Sequence, residues 1–509
     1  MADQLLTGGE GELAEHCHPA LRRNVAIFAS GKVFVAQGRE NDDGVSSVIA
    51  LAERMGYRLD SEIKLVDRGV IERFYSTSRT VRGSDGNSSD DPESMRHAVY
   101  EVLDRASTMD GAGDVIIKRN GDVSRAYVML DGVQRPLLED EWSADYGGKF
   151  IRAAYAWAGK LGEGSAERGY TEGAHQVGQI SKGLPKKLQS VRLQKLSTAF
   201  GGEELIMRLM PTPAKSGVRL EDLGFDQADL GRFTEMMYMA DGLVIVTGPT
   251  GSGKTHTLHG LMNLSLSLFP GDRWITVEDP VEIPVYRDEV TLMDVVGSGS
   301  GDDVDTGYED ALEASLRSIP RRLMFGEIRS RGSASLAVTA ALTGHAVLTT
   351  LHTDSALGAV PRLLDLGVSK EMLRDQDVLR GLTAQRLFRR LCDCARTVTR
   401  KEWAGYCPQW LEEIFTEAGH VKVANREGCP NCFEGHIRGR TPLTEIVRPT
   451  PAILDALING NRHMAREVWV KEGGRPLADQ AVALVSSGNL DPNEVMRCIN
   501  VSGVRHVIS

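Results

Sequence analysis

The run from Gly248 through Pro249, Thr250, Gly251, Ser252 and Gly253 to Lys254 and Thr255 fits G-x-x-x-x-G-K-[ST] without a mismatch. Its glycines let the backbone curl so that successive N–H groups point inward. Those donors and the start of a helix favour phosphate oxygens. Lys254 is the expected charge on β- and γ-phosphates, and the Thr255 hydroxyl the expected Mg²⁺ ligand. His256, the next residue, is counted with the binding segment. The context is the required one: an apolar strand, LVIVT, precedes the loop and a helix opens near Lys254.

Other residues have the chemistry to work on a bound triphosphate. Glu278 ends an apolar strand, where a side chain projects into a crevice. Glu327 follows another and is expected to hold Mg²⁺ through water. His345 and His352 bracket the stretch 346–351, and their odd separation places them on opposite faces of a regular strand, with different tasks. A satisfied buried histidine is the plainer reading of either. Arg192 and Arg208 lie upstream; a planar, permanently charged guanidinium suits phosphate contact, and a surface strand arginine is the alternative. Cys392-x-Cys394 and Cys429-x-x-Cys432 supply two thiolate pairs, enough for a tetrahedral structural Zn²⁺. Cys407 or His436 is a possible substitute for one ligand, and a set of reduced thiols is the bland alternative.

The elements that must position these residues fall into segments. Residues 1–82 form an N-terminal module with a hairpin turning at Ser30-Gly31 and a helix over Val45–Met55. Residues 83–94, rich in Ser, Gly and Asp, read as a flexible linker. Residues 95–215 read as a small α+β domain: a helix over Ser94–Ser107, strands either side of Asn120-Gly121, a helix over Phe150–Leu161 and a second strand pair joined at Gly201-Gly202. A joint at Pro211–Ser216 follows. Residues 216–390 alternate apolar strands with helices, the pattern of a parallel sheet with crossover helices. Residues 391–509 are a Cys-containing region with helices, beginning at a third joint near Cys392.

Composition bounds the function. A chain of 509 residues implies roughly two to four domains. With 41% hydrophobic and 25% charged residues it reads as soluble and globular. A net charge of −11 argues against a general nucleic-acid binder, and no specific nucleic acid is expected. Neither a secretory signal nor a membrane-spanning run is legible, so any membrane association is peripheral and through partners. The cysteines beyond Leu391 suggest a reducing compartment.

The phosphate loop and three later blocks resemble, in order, those of the type II / type IV secretion ATPase superfamily. These are ITVEDPVE (Ile275–Glu282), like its aspartate box; LMFGEIR (Leu323–Arg329), like its Walker B strand; and TGHAVLTTLHTDSA (Thr343–Ala356), like its histidine box. AQRLFRRLC (Ala384–Cys392) and RGRTPLTEI (Arg438–Ile446) also look like family segments. The resemblance implies an α/β fold with a RecA-like P-loop ATPase core, preceded by a PAS-like α+β domain and the N-terminal module. It implies ATP hydrolysis, with Glu278 orienting or deprotonating water and the histidine box sensing the γ-phosphate. Arginines of the preceding domain, here Arg192 and Arg208, would reach the phosphates, and a zinc tetracysteine is implied at the two Cys pairs.

By the same resemblance the chain would form a homohexamer, cytoplasmic and peripheral at the inner membrane. There it would drive a platform protein of a pilus or secretion machine, with conjugative thin-pilus motors a plausible home. Three departures from the family pattern stand out: the first Cys pair is one residue short, Ser330 replaces an acidic residue, and Ile319-Pro320-Arg321-Arg322 replaces Asp-Pro-Asp. The rival readings are a DNA-dependent P-loop motor and a ring that binds nucleotide without turnover.

Overall fold

The computed structural model describes residues 5–7, 24–39, 42–60, 63–66, 92–138, 140–161, 170–212, 217–295, 302–375, 377–399, 420–429 and 435–499, with Leu13, Cys17, Leu21, Ile71, Glu402 and Cys432. The expected linker lies outside them as far as residue 91, and Cys407 and residues 213–216 of the second joint lie outside them too.

In the N-terminal unit, β1 (Val25–Ile27) and β2 (Val33–Ala36) pair antiparallel, with Ala26 opposite Phe34. Gly31 in the turn has φ 97°, and a Cβ there would lie 2.3 Å from the Arg58 carbonyl oxygen, so only glycine fits. The Asp42 carboxylate caps α1 (Asp43–Arg54) by accepting from the Gly44 and Val45 N–H groups. The helix packs Val45, Val48 and Ala52 on the hairpin, and β3 (Lys64–Val66) runs parallel beside β2.

The next unit is an antiparallel sheet under two helices. Its elements are α2 (Pro92–Ser107), β4 (Ala112–Asn120), β5 (Val123–Leu130), β6 (Val133–Pro136), β7 (Trp142–Ser143), α3 (Ala144–Leu161), β8 (Gln176–Ile180), β9 (Leu188–Ser197) and β10 (Glu203–Pro211). The strand order is β6-β5-β4-β10-β9-β8, with β7 beside β5. Val99, Leu103, Phe150 and Ala154 of the helices bury against Val115, Val128, Val191 and Leu205. Strand alternation turns Arg192, between the buried Val191 and Leu193, to the face away from the helices. Arg208 is its direct cross-strand partner.

The core comprises α4 (Gln227–Met237), β11 (Gly242–Thr247), α5 (Lys254–Leu268), β12 (Trp274–Glu278), β13 (Val290–Asp294), α6 (Asp302–Leu316), β14 (Arg322–Phe325), α7 (Arg331–Leu342), β15 (Ala346–Leu351), α8 (Ala359–Asp365), α9 (Lys370–Arg374) and β16 (Leu379–Leu391). All four expected strands are present, and the strands from β11 to β16 in this sheet are parallel. Both faces are covered: Leu243 and Ile245 of β11 pack into one helical layer, Val244 and Val246 into the other beside Leu258 and Leu261 of α5.

The chain continues through β17 (Arg396–Thr399), β18 (His420–Val423), β19 (His436–Val447), α10 (Pro451–Ile458), α11 (Arg462–Lys471), α12 (Leu477–Ser486) and α13 (Pro492–Cys498). The expected joint near Cys392 is not a break in the sheet. The full order is β13-β12-β14-β15-β11-β16-β19, so a strand from beyond residue 391 closes its edge, antiparallel to β16. Ile453, Leu457 and Trp469 of α10 and α11 belong to the same hydrophobic core as Leu243 and Ile245. Among the described residues, α12, α13 and the paired strands β17 and β18 gather around a separate cluster with Phe388 and Leu443.

The unusual lead into β14 has its own support. The Arg321 and Arg322 N–H groups donate to the Arg273 carbonyl. The Arg322 side chain is 2% exposed; it donates to Asp272 at 2.6 Å and lies 4.2 Å over the Phe269 ring. Among the described residues no helix is long and apolar enough to cross a membrane.

Candidate active site

The phosphate loop joins the fully buried β11 to α5, at the carboxyl edge of the sheet between β15 and β16. Gly248, Gly251 and Gly253 have φ of 147°, 78° and 85°. A Cβ on Gly248 would lie 2.5 Å from Ser252 Oγ and 2.8 Å from the Gln385 carbonyl oxygen, so this turn requires glycine. Gly253 opens α5 without a side-chain cap, which leaves the helix amides for a ligand. Lys254 Nζ donates to the carbonyls of Gly248 and Pro249 at 2.9 and 3.1 Å, folded over its own loop. Burial pushes its ammonium below the ordinary value, against the pull of Glu327. Burial also pushes the His256 imidazole below its ordinary value. Gln385 of β16 clamps the loop from behind: its Nε2 donates to Ser252 O at 2.5 Å and its Oε1 accepts from Thr257 at 2.8 Å.

A cleft of about 730 Å³ opens over this loop. Thr250, Gly251, Gly253, Lys254, Thr255 and His256 line it with Glu278, Glu327 and His352, and so do Arg192 and Arg208 of the preceding unit. Its size suits a small-molecule ligand, and its lining suits a polyphosphate. Glu278 is 4% exposed at the end of β12. Glu327 sits two residues past β14, where His352 Nε2 lies 3.2 Å from its Oε2 and the Arg329 guanidinium pairs with its other oxygen. Arg329 also reaches Asp279 at 3.0 Å. Arg208 pairs with Asp114 at 3.1 Å; burial pulls the Arg192 guanidinium below its ordinary value, while Glu282 and Asp279 pull the other way. Two guanidiniums directly opposite across β9 and β10 repel, and an anion between them relieves that.

His345 stands apart from the cleft. It precedes β15, at the end of that strand opposite His352, with its Nδ1 3.1 Å from the Ala340 carbonyl and 3.2 Å from Thr343 Oγ1. Of the two histidines, His352 lines the cleft and His345 does not. Ser330, in place of the acidic residue, caps α7 in a reciprocal pair with Ser333, and its Oγ donates to the Glu309 carboxylate at 2.6 Å.

A second cluster lies beyond the end of β16. The sulfurs of Cys392, Cys394, Cys429 and Cys432 all lie within 4.8 Å of one another. Cys392 is 3.7 Å from Cys429 and Cys394 is 3.6 Å from Cys432. Four thiolates at tetrahedral corners about Zn²⁺ stand roughly 3.8 Å apart, given a Zn–S bond of about 2.3 Å. The spacing therefore fits an ion, and the short first pair does not prevent closure. Burial alone would push the Cys432 thiol up; the Cys429 N–H, donating to its sulfur at 3.1 Å, and the neighbouring thiols bring it down to about 7. His436 is buried on β19 and is not part of the cluster.

Residues 174–497 match the family described as type II/IV secretion system protein. The chain belongs to that family. The putative type II secretion system protein E of Escherichia coli (strain K12) is 35% identical over 323 residues, which are 63% of this chain and 62% of that protein. The type IV pilus assembly ATPase TfpB of Acinetobacter baylyi is 32% identical over 332 residues, 64% of this chain and 53% of that one. The chain thus spans only about half to three-fifths of the length of these relatives. Among solved structures, the Yersinia pseudotuberculosis ATPase DotB aligns with a TM-score of 0.53 at 19% identity, covering 81% of this chain and 96% of that one. The core is accordingly a RecA-like P-loop fold.

This type II/IV secretion family chain also places residues at the cleft that the sequence did not single out. Arg329 and Gln385 lay inside recognised blocks without a task, and their neighbours in those blocks were the available signal. Arg440 of β19 lines the cleft and reaches the Gly251 carbonyl at 3.4 Å and Asp131 at 3.7 Å, bridging the two units. Tyr308 of α6 accepts from the Glu327 N–H at 3.3 Å, and no motif marks it.

Proposed function

We propose that this chain is a hexameric ATPase at the cytoplasmic face of the inner membrane. It drives assembly or retraction of a type IV pilus, or a related secretion or conjugation machine, through an inner-membrane platform protein. The observation that carries the reading is one cleft that joins a complete phosphate loop to two strand-end carboxylates and to arginines from the preceding unit.

In this reading the loop amides and Lys254 hold the β- and γ-phosphates of ATP. Lys254 leaves the carbonyls of Gly248 and Pro249 to do so. Thr255 and, through water, Glu327 hold Mg²⁺, which when bound supplies charge neutralisation on the phosphates. Glu278 accepts a hydrogen bond from the attacking water and orients it. His352, paired with Glu327, senses the γ-phosphate. Arg192 and Arg208 engage the phosphates from the facing unit, so occupancy of the cleft pulls residues 95–215 and the core together. At the tetracysteine, Cys392, Cys394, Cys429 and Cys432 hold a structural Zn²⁺ that fixes the loops around β17 and β18.

Phosphate release by the purified full-length chain with Mg²⁺ and ATP tests the proposal. Turnover that is independent of added DNA and lost in Lys254→Ala supports it. Absence of both nucleotide binding and phosphate release in every oligomeric form overturns it.

A further inference from the structure

Helix α5 carries a histidine without a task in that scheme. His259 lies one turn past Thr255 and is 1% exposed, away from the cleft lining. Its Nε2 is 3.2 Å from Glu278 Oε2. Among the described residues both groups are otherwise alone: His259 Nδ1 and Glu278 Oε1 are buried without hydrogen-bond partners. A carboxylate only accepts, so the shared hydrogen sits on Nε2. One oxygen of Glu278 is thereby held from behind, and the other is unengaged in a residue that lines the cleft.

We infer that His259 is the positioning residue of Glu278: it engages Oε2 and so leaves Oε1 as the oxygen that accepts from the attacking water. The inference rests on the ATPase reading above and adds a residue to it. A glutamate has three side-chain torsions, and a buried carboxylate without a donor turns to find one. The cleft cations, Lys254 and Arg329 among them, are competing donors, and pairing with one of them would take Glu278 out of service. His259 is well placed to prevent this, because it shares a helix with Lys254 and Thr255. The carboxylate is thus registered against the element that grips the phosphates.

Steady-state phosphate release and binding of a fluorescent ATP analogue, measured on the full chain, test the role. His259→Leu and His259→Asn, neither of which can reach Glu278, are expected to lower kcat about tenfold or more. KM and analogue affinity are expected to change less than about twofold, because no cleft contact is lost. His259→Gln, whose amide reaches as far as Nε2, restores kcat to within about threefold. In a Glu278→Gln background, His259→Leu adds no further loss. The proposal is overturned if the Leu and Asn variants turn over at the parental rate, if their loss appears in affinity rather than kcat, if Gln is no better than Asn, or if the double variant is slower than Glu278→Gln. Should His259→Leu not fold, the Asn and Gln pair decides. A parental chain without hydrolysis defeats the ATPase reading itself. Hydrolysis that Glu278→Gln stops and that the His259 variants leave at the parental rate defeats this inference alone.

Discussion

At the scale of single residues, the proposed roles separate binding from turnover. Lys254→Ala removes the one ammonium of the loop, and hydrolysis is expected to fall by about 10² or more. Glu278→Gln keeps the shape of the side chain but weakens its hold on water. Nucleotide binding should persist while turnover drops on the order of 10²- to 10⁴-fold, as read by analogue fluorescence beside phosphate release. Parental turnover in Glu278→Gln would remove that residue from the mechanism. The phosphate loop was legible because its spacing has few other uses, and Glu278 and Glu327 were legible as carboxylates at strand ends. His259 was not: it falls in a helix among apolar residues, where a histidine reads as filling. Its relation to Glu278 is set by how α5 lies across the sheet, which no local pattern encodes. His345 shows the converse, since a motif singled it out and the strand carried it to the wrong end.

At the scale of elements, α13 is tied to β16 by a buried ion network. Glu494 of α13 is 2% exposed and pairs with Arg389 of β16 at 2.8 Å and with Arg497 at 2.6 Å. Burial raises its carboxyl, but the two arginines outweigh this and bring it down to about 2. A depressed carboxylate stabilises the fold above its unfolded value of about 4.3 and loses that contribution as pH falls toward 2. Acid unfolding should therefore steepen between about pH 4.5 and 2. Glu494→Gln should cost on the order of 3 kcal/mol at neutral pH and flatten that acid limb, as followed by denaturant titration at several pH values. The tetracysteine gives a companion test. Protein purified without chelator should carry one Zn²⁺ per chain, and Cys432→Ser should abolish the metal and lower Tm while leaving the β11 to β15 sheet folded by circular dichroism. The strands and helices themselves were largely readable, because buried parallel strands form short apolar runs between turn residues. The place of β19 was not, because a strand's partner depends on which sheet edge is open. A chemically distinct Cys region hid the continuity.

At the scale of the whole molecule, the cleft is shared between two bodies with separate cores. Its occupancy should depend on both: Arg192→Ala is expected to weaken ATP binding or slow hydrolysis about tenfold although the phosphate loop is untouched, as measured by the same two assays. The N-terminal unit is different. Among the described residues its core clusters end at Ile71, and the next core begins with Met95. Removing residues 1–91 should leave the main thermal transition within a few degrees of the parental one.

One strand links the chemistry to the periphery. Gln385 on β16 grips the phosphate loop, and the same strand ends at Leu391, next to the first thiol of the cluster. An extended chain hardly stretches, so this span of about 20 Å transmits displacement as a tie rod does. The single point of give is the register shift between Arg389 and Leu391. A nudge delivered to Ser252 has along this strand a direct covalent route toward the sulfurs, shared on either side with β11 and β19. The loop and the thiols are in that sense the two ends of one mechanical member, stiff along its length and jointed once.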